Sequence, residues 1–193
     1  MTAFDNAPFR FRIRRTPVLA LALLGAFATA ASAQTDDPAA SLPTGPKTLL
    51  VELGGDAAGL AEIVGATRSS EEWVAQLSGM GTAMSAEQVA LLADYLALNV
   101  PAETSGTDVA SIVEALPADG RELFVANCFS CHGVVAYYLL QDRDAAGWME
   151  IFSAPYHRRL LTGDNERETF ASYAAAAMPI PEAEIPEAWQ QSP

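Results

Sequence analysis

"GRELFVANCFSCHG", residues 120–133, holds both cysteines of the chain, Cys128 and Cys131, and one of its two histidines, His132. The approach reads as helix, with Phe124, Cys128 and Cys131 at i, i+4 and i+7 on one face. The motif itself spells C-x-x-C-H. Two thiols three positions apart on a helix can add to the two vinyl groups of one haem. A histidine directly after the second thiol is then held beneath the iron, where its imidazole becomes the proximal ligand.

Three other uses of two cysteines fit less well. A structural zinc site needs four ligands, and His157 is the one further histidine, with no third cysteine to join it. A thioredoxin-like dithiol belongs beside a βαβ pattern, which is absent. A Cys128–Cys131 disulfide suits an exported chain but leaves His132 without a reason.

Export is itself an expectation of the sequence. Arg10, Arg12, Arg14 and Arg15 precede the apolar run "PVLALALLGAFATA", and "ASAQ" follows as a small-x-small cleavage site ending at Ala33. These are the parts of a secretory signal peptide, 1–33, and the apolar run is short for a bilayer span. Cleavage leaves 7 basic against 23 acidic residues, so the charge moves from −13 to −16. Such a field attracts basic partner surfaces and argues against nucleic acid. No later stretch is long and apolar enough to span a membrane, and the expected location is the periplasm.

Along the rest of the chain, 34–54 reads as an extended or disordered lead-in, with one short extended piece at 48–52. Residues 55–100 read as helical. "SSEEWVAQL" carries Ser69 and Glu72 in capping-box spacing, and "SAEQVALLADYLALN" repeats the signal with Ser85 and Gln88. Val89, Leu92, Leu96 and Val100 then share one face before Pro101. A linker at 101–119 leads to the haem-binding region, 120–193, where "RDAAGWMEIF" and "DNERETFASYAAAA" read as helices. Period-2 alternation is almost absent, so the expected class is all-α.

The stretch 120–133 resembles the first helix and haem-binding turn of class I c-type cytochromes, in which a glycine, an aromatic and C-x-x-C-H recur in this order. The resemblance implies haem c bound covalently through Cys128 and Cys131, with His132 as proximal ligand, inside a cytochrome c-like helical fold. Family members supply a distal methionine, and "AAAAMPIP" offers Met178, 46 residues after His132. Met80 and Met84 in "SGMGTAMSAEQ" and His157 in "APYHRRLL" are the alternatives. Arg143, Arg158 and Arg159 are candidate propionate partners, and Tyr137–Tyr138 a candidate shield for a haem edge. Trp73, Trp148 and Trp189 are expected in the core or the haem wall.

One departure stands out. The family closes with a C-terminal helix across the first one, yet after Met178 only fifteen proline-broken residues remain. Residues 71–99 resemble the late half of such a domain. Two arrangements accommodate this. In one, 55–100 is a degenerate first cytochrome domain, aligned by a shift of 65 that sets Gly55 on Gly120. In the other the fold is permuted, and helix 85–99 packs against 120–131 as the closing helix. Both arrangements predict Leu92, Tyr95 or Leu96 against Leu123, Phe124 or Asn127, and the second requires it of one shared core.

The functional expectation is a non-enzymatic carrier of single electrons, free or as the cytochrome subunit of a periplasmic oxidoreductase. Its redox partner would present a basic docking face. The alternative is a haem-based sensor with an open or displaceable sixth position.

Overall fold

The computed structural model describes residues 38–53, 55–129, 135–185 and 187. The proposed signal peptide, Cys131, His132 and Trp189 lie outside the described residues. Among those described, every regular element is helical and none is long and apolar enough to cross a membrane. The all-α expectation holds.

The chain runs through a 3-10 turn (Pro38–Ser41), α1 (Pro46–Glu52), α2 (Ala57–Val64), α3 (Ser70–Gly79), α4 (Ala86–Asn99) and α5 (Val109–Ala115). It continues through α6 (Gly120–Asn127), α7 (Val135–Leu139), α8 (Ala145–Met149), a 3-10 turn (Glu150–Ser153), α9 (Glu166–Ala177) and a last 3-10 turn (Glu182–Glu184). Both expected capping boxes form, at Ser69/Glu72 and Ser85/Gln88, and Asp108 and Asp119 cap α5 and α6 in the same way. Each such cap is worth about 1 kcal/mol.

The lead-in expectation fails at its C-terminal half. Residues 48–52 belong to helix α1, because Pro46 occupies its first turn, where a missing N–H costs nothing. Leu49 and Leu50 are buried, and α1 lies against α4 and α5. The linker 101–119 holds the short helix α5.

The two halves of the molecule repeat one plan, in a register 75 residues apart rather than 65. Gly45 corresponds to Gly120, Leu49 to Phe124, Leu77 to Phe152 and Trp73 to Trp148. Arg68 lies 5.3 Å from the Trp73 ring centre, and Arg143 lies 5.8 Å from that of Trp148. After a three-residue insertion the offset becomes 78, which pairs Leu92 with Phe170, Tyr95 with Tyr173 and Val100 with Met178. The halves close alike: Ala102 N–H donates to Val64 O at 2.9 Å, and Ile180 N–H donates to Leu139 O at 2.8 Å. The X-Pro peptides at Pro101 and Pro179 are both cis.

The repeat also orders the helix packing. α9 packs on α6 and on α8, as α4 packs on α1 and α3. At the α6–α9 crossing a Cβ on Gly120 would stand 2.1 Å from Tyr173 Cβ, so only glycine admits this approach. The helix that crosses α6 therefore precedes Met178. α4 lies against α1, α3 and its own counterpart α9, and α6 lies against α9.

Candidate functional site

Cys128 caps the C-terminus of α6 and opens onto a cavity of about 590 Å³. One wall is Trp148, Ile151, Phe152 and Phe170, and the other side is formed by Asn127, Tyr137, Tyr138, Gln141 and Arg143. The loop between α8 and α9 completes it with Ala154, Tyr156, His157, Leu160 and Leu161. A mostly apolar lining of this size, with a few polar side chains, is what a cofactor-sized ligand requires.

Aromatic packing makes the floor rigid. Phe170 stacks on Phe124 with ring centres 5.6 Å apart and planes at 6°, and meets Phe152 edge-on at 5.5 Å. Trp148 stands edge-on to Phe170 at 6.0 Å. In the first half the corresponding positions are Leu92, Leu49, Leu77 and Trp73, all fully buried. The half that carries the cysteines has thus exchanged three leucines for three phenylalanines around its cavity. At the position of Cys128 the first half carries Leu53, and α5 lies against α1 and α2, the counterparts of α6 and α7.

The α8–α9 loop is held by Arg167 at the start of α9. Its guanidinium donates to Arg158 O at 2.7 Å and to Leu160 O at 3.1 and 3.2 Å, and lies 5.0 Å from the ring centre of Phe152. Leu161 is buried with φ 49°, a left-handed conformation that bulky residues rarely adopt, and it sits in the cavity wall. Within this loop His157 is half-buried and its Nδ1 lies 3.1 Å from Ile151 O. A carbonyl can only accept, so Nδ1 is the donor in this contact.

The other sequence-proposed residues distribute unevenly. Met178 ends α9 and is buried among core residues, but is not one of the residues lining the cavity. Met80 and Met84 line a separate surface depression beside Leu53, in the first half. Arg143 reaches the cavity while bonding Gln141 Oε1 at 3.2 and 3.3 Å. Its stack on Trp148 recurs at Arg68–Trp73, where no cysteine is present, so that stack is a packing device common to both halves. Arg158 and Arg159 are exposed and do not line the cavity.

Tyr138 lies in the wall near Cys128, and its phenol is pushed above the usual value, mainly by burial and further by Cys128 and Tyr137. The indole N–H groups of both Trp73 and Trp148 are buried with no hydrogen-bond partner among the described residues. The sequence reading passed over Phe152, Phe170 and Arg167. The signal for the two aromatics was present in "RSSEEW" and "RDAAGW", whose shared Arg-x4-Trp spacing sets the register in which they answer buried leucines.

No group of three or more potential metal ligands occurs among the described residues, which exclude Cys131 and His132. No protein-family model matches this chain, and neither the curated proteins nor the solved structures contain a match to it.

Proposed function

We propose that this chain is an exported c-type cytochrome that carries single electrons on one covalently bound haem. The observation that carries the reading is the placement of Cys128, the first thiol of C-x-x-C-H, in the lining of a largely apolar cavity of about 590 Å³. The residues present suit the group. Cys128 would supply one thioether, the lining is largely aromatic and aliphatic, and Arg143 brings a guanidinium to it. His132, next to Cys131, would supply the proximal imidazole.

Bound haem supplies the redox chemistry, an iron cycling between ferric and ferrous states. The chain would contribute attachment through Cys128 and Cys131, the imidazole of His132 and a low-dielectric enclosure. The whole sequence carries net charge −13 and a pI near 4.4, which favours a basic docking face on the redox partner. The proposed arrangement is one haem-bearing cytochrome c-like half and one degenerate half that lacks the motif.

The test is intact-protein mass spectrometry after expression in a haem-attaching periplasm. The expected mass is that of the chain cleaved after Ala33 plus one haem, surviving denaturation. Replacing Cys128 and Cys131 with Ala should abolish the added mass. An unmodified wild-type mass with a Cys128–Cys131 disulfide would overturn the reading.

A further inference from the structure

Four histidine and methionine positions compete for the distal side of the proposed haem, and their surroundings separate them. Met178 occupies the end of α9, 5 % exposed. Its counterpart Val100 ends α4 at 7 % exposure, in the half whose sequence has no cysteine. Both are followed by proline and by the same closing backbone bond, to Leu139 O and Val64 O respectively. An apolar side chain is thus required here whether or not a cofactor is nearby, which accounts for Met178 as packing.

Met80 and Met84 belong to the loop between α3 and α4, and border Leu53 rather than Cys128. The corresponding loop of the second half, between α8 and α9, is the one lengthened by three residues. It carries His157, and His157 lines the same cavity as Cys128. Its Nδ1 donates to Ile151 O at 3.1 Å. A metal-binding imidazole characteristically donates its other ring N–H to a carbonyl in this way.

From this placement we infer that His157 is the distal axial ligand and that Met178 is a core residue. The inference rests on the haem reading above and deepens it. Two imidazoles in place of imidazole and thioether lower the reduction potential. They also fill the sixth position, which separates the protein from a sensor with an open site.

The experiment uses holoprotein matured with haem-attachment machinery, as wild type, Met178→Leu, His157→Ala and His157→Met. The expected wild-type ferric spectrum is low-spin without the weak sulfur-to-iron charge-transfer band, and Met178→Leu should reproduce it. His157→Ala should turn high-spin, bind carbon monoxide when reduced, and return to low-spin on adding imidazole. His157→Met should raise the potential. A wild-type charge-transfer band that vanishes in Met178→Leu would overturn the inference, as would a His157→Ala spectrum identical to wild type. If the His157 variants fail to mature, the wild-type and Met178→Leu spectra still decide. Absence of covalent haem from the wild type would be a different failure, of the cytochrome reading itself.

Discussion

Tyr95 and Tyr173 occupy equivalent positions on α4 and α9, and each bonds to the opposite half of the chain. Tyr173 donates to Pro43 O, just before α1, and Tyr95 donates to Pro117 O, just before α6, both at 2.7 Å. The exchange is reciprocal in the manner of a two-fold contact between like subunits, here within one chain. Asp119 reinforces the same junction. It caps α6 through Glu122 N–H and accepts from Lys47 N–H in α1, each at 2.9 Å, while Lys47 Nζ pairs with Glu122 at 3.2 Å. The first half thus contributes structurally to the second, since it provides the acceptor for Tyr173 and the donor Tyr95.

This pairing has a pH signature. Burial raises both phenols well above the ordinary tyrosine value; nearby Asp119 and Glu122 add to the effect at Tyr95, and at Tyr173 Arg121 opposes it in part. The folded protein thus keeps two protons that the unfolded chain releases near pH 10. Stability should be intact below about pH 10 and fall above it, by up to ~1.4 kcal/mol per pH unit for each tyrosine. Denaturant midpoints measured across that range should decline less steeply in Tyr95→Phe/Tyr173→Phe, which should also be less stable at neutral pH by about 1 kcal/mol per bond. Equal slopes for the two proteins would refute the assignment.

The α6–α9 crossing depends on one absent side chain. In Gly120→Ala the new Cβ would lie 2.1 Å from Tyr173 Cβ and 2.7 Å from Thr169 O, both fixed in the core. Forced repacking of this kind costs about 1–3 kcal/mol. Gly79→Ala is the control, since nothing lies within 4 Å of its added Cβ, and it should be neutral or gain up to about 0.5–1 kcal/mol. Thermal denaturation of the two variants beside wild type checks the contrast.

How much was legible beforehand varies by element, for identifiable reasons. The capped helices α3 and α4 were readable because Ser69/Glu72 and Ser85/Gln88 announce their starts and the apolar spacing follows. α1 was hidden behind Pro43 and Pro46, which read as breakers although a proline in the first turn suits a helix. The repeat register was missed because glycines and alanines align in many ways, and the core positions differ in kind: Leu49 against Phe124, Leu92 against Phe170. The closing role of α9 was equally hidden, since Tyr173 meets Gly120 across 53 residues of chain and only packing reveals it. The site was legible at Cys128, whose motif is local. The side chains that share its cavity come from α7, α8, α9 and the loop before α9, and no local pattern joins them.

Arg167 ties that loop to the core, and its removal should be felt at the site. The guanidinium bonds two carbonyls flanking Arg159 and lies against Phe152, so it fixes the chain on the C-terminal side of His157. Hydrogen bonds from a charged donor are worth about 1.5–3 kcal/mol each when lost from a buried setting, and less where one partner is exposed as at Arg158. Arg167→Ala should therefore lower stability by roughly 2 kcal/mol and release residues 157–161 to faster amide exchange. Arg167→Lys keeps the charge but cannot reach both carbonyls with one planar fork, so it should recover only part of the loss. In haem-loaded protein the Ala variant should show a mixed-spin ferric spectrum, because an imidazole on a loosened loop occupies its position only part of the time. A variant with full stability and unchanged exchange in 157–161 would show that the loop is held by its own turn, through His157 and Arg158 N–H on Ala154 O, and not by Arg167.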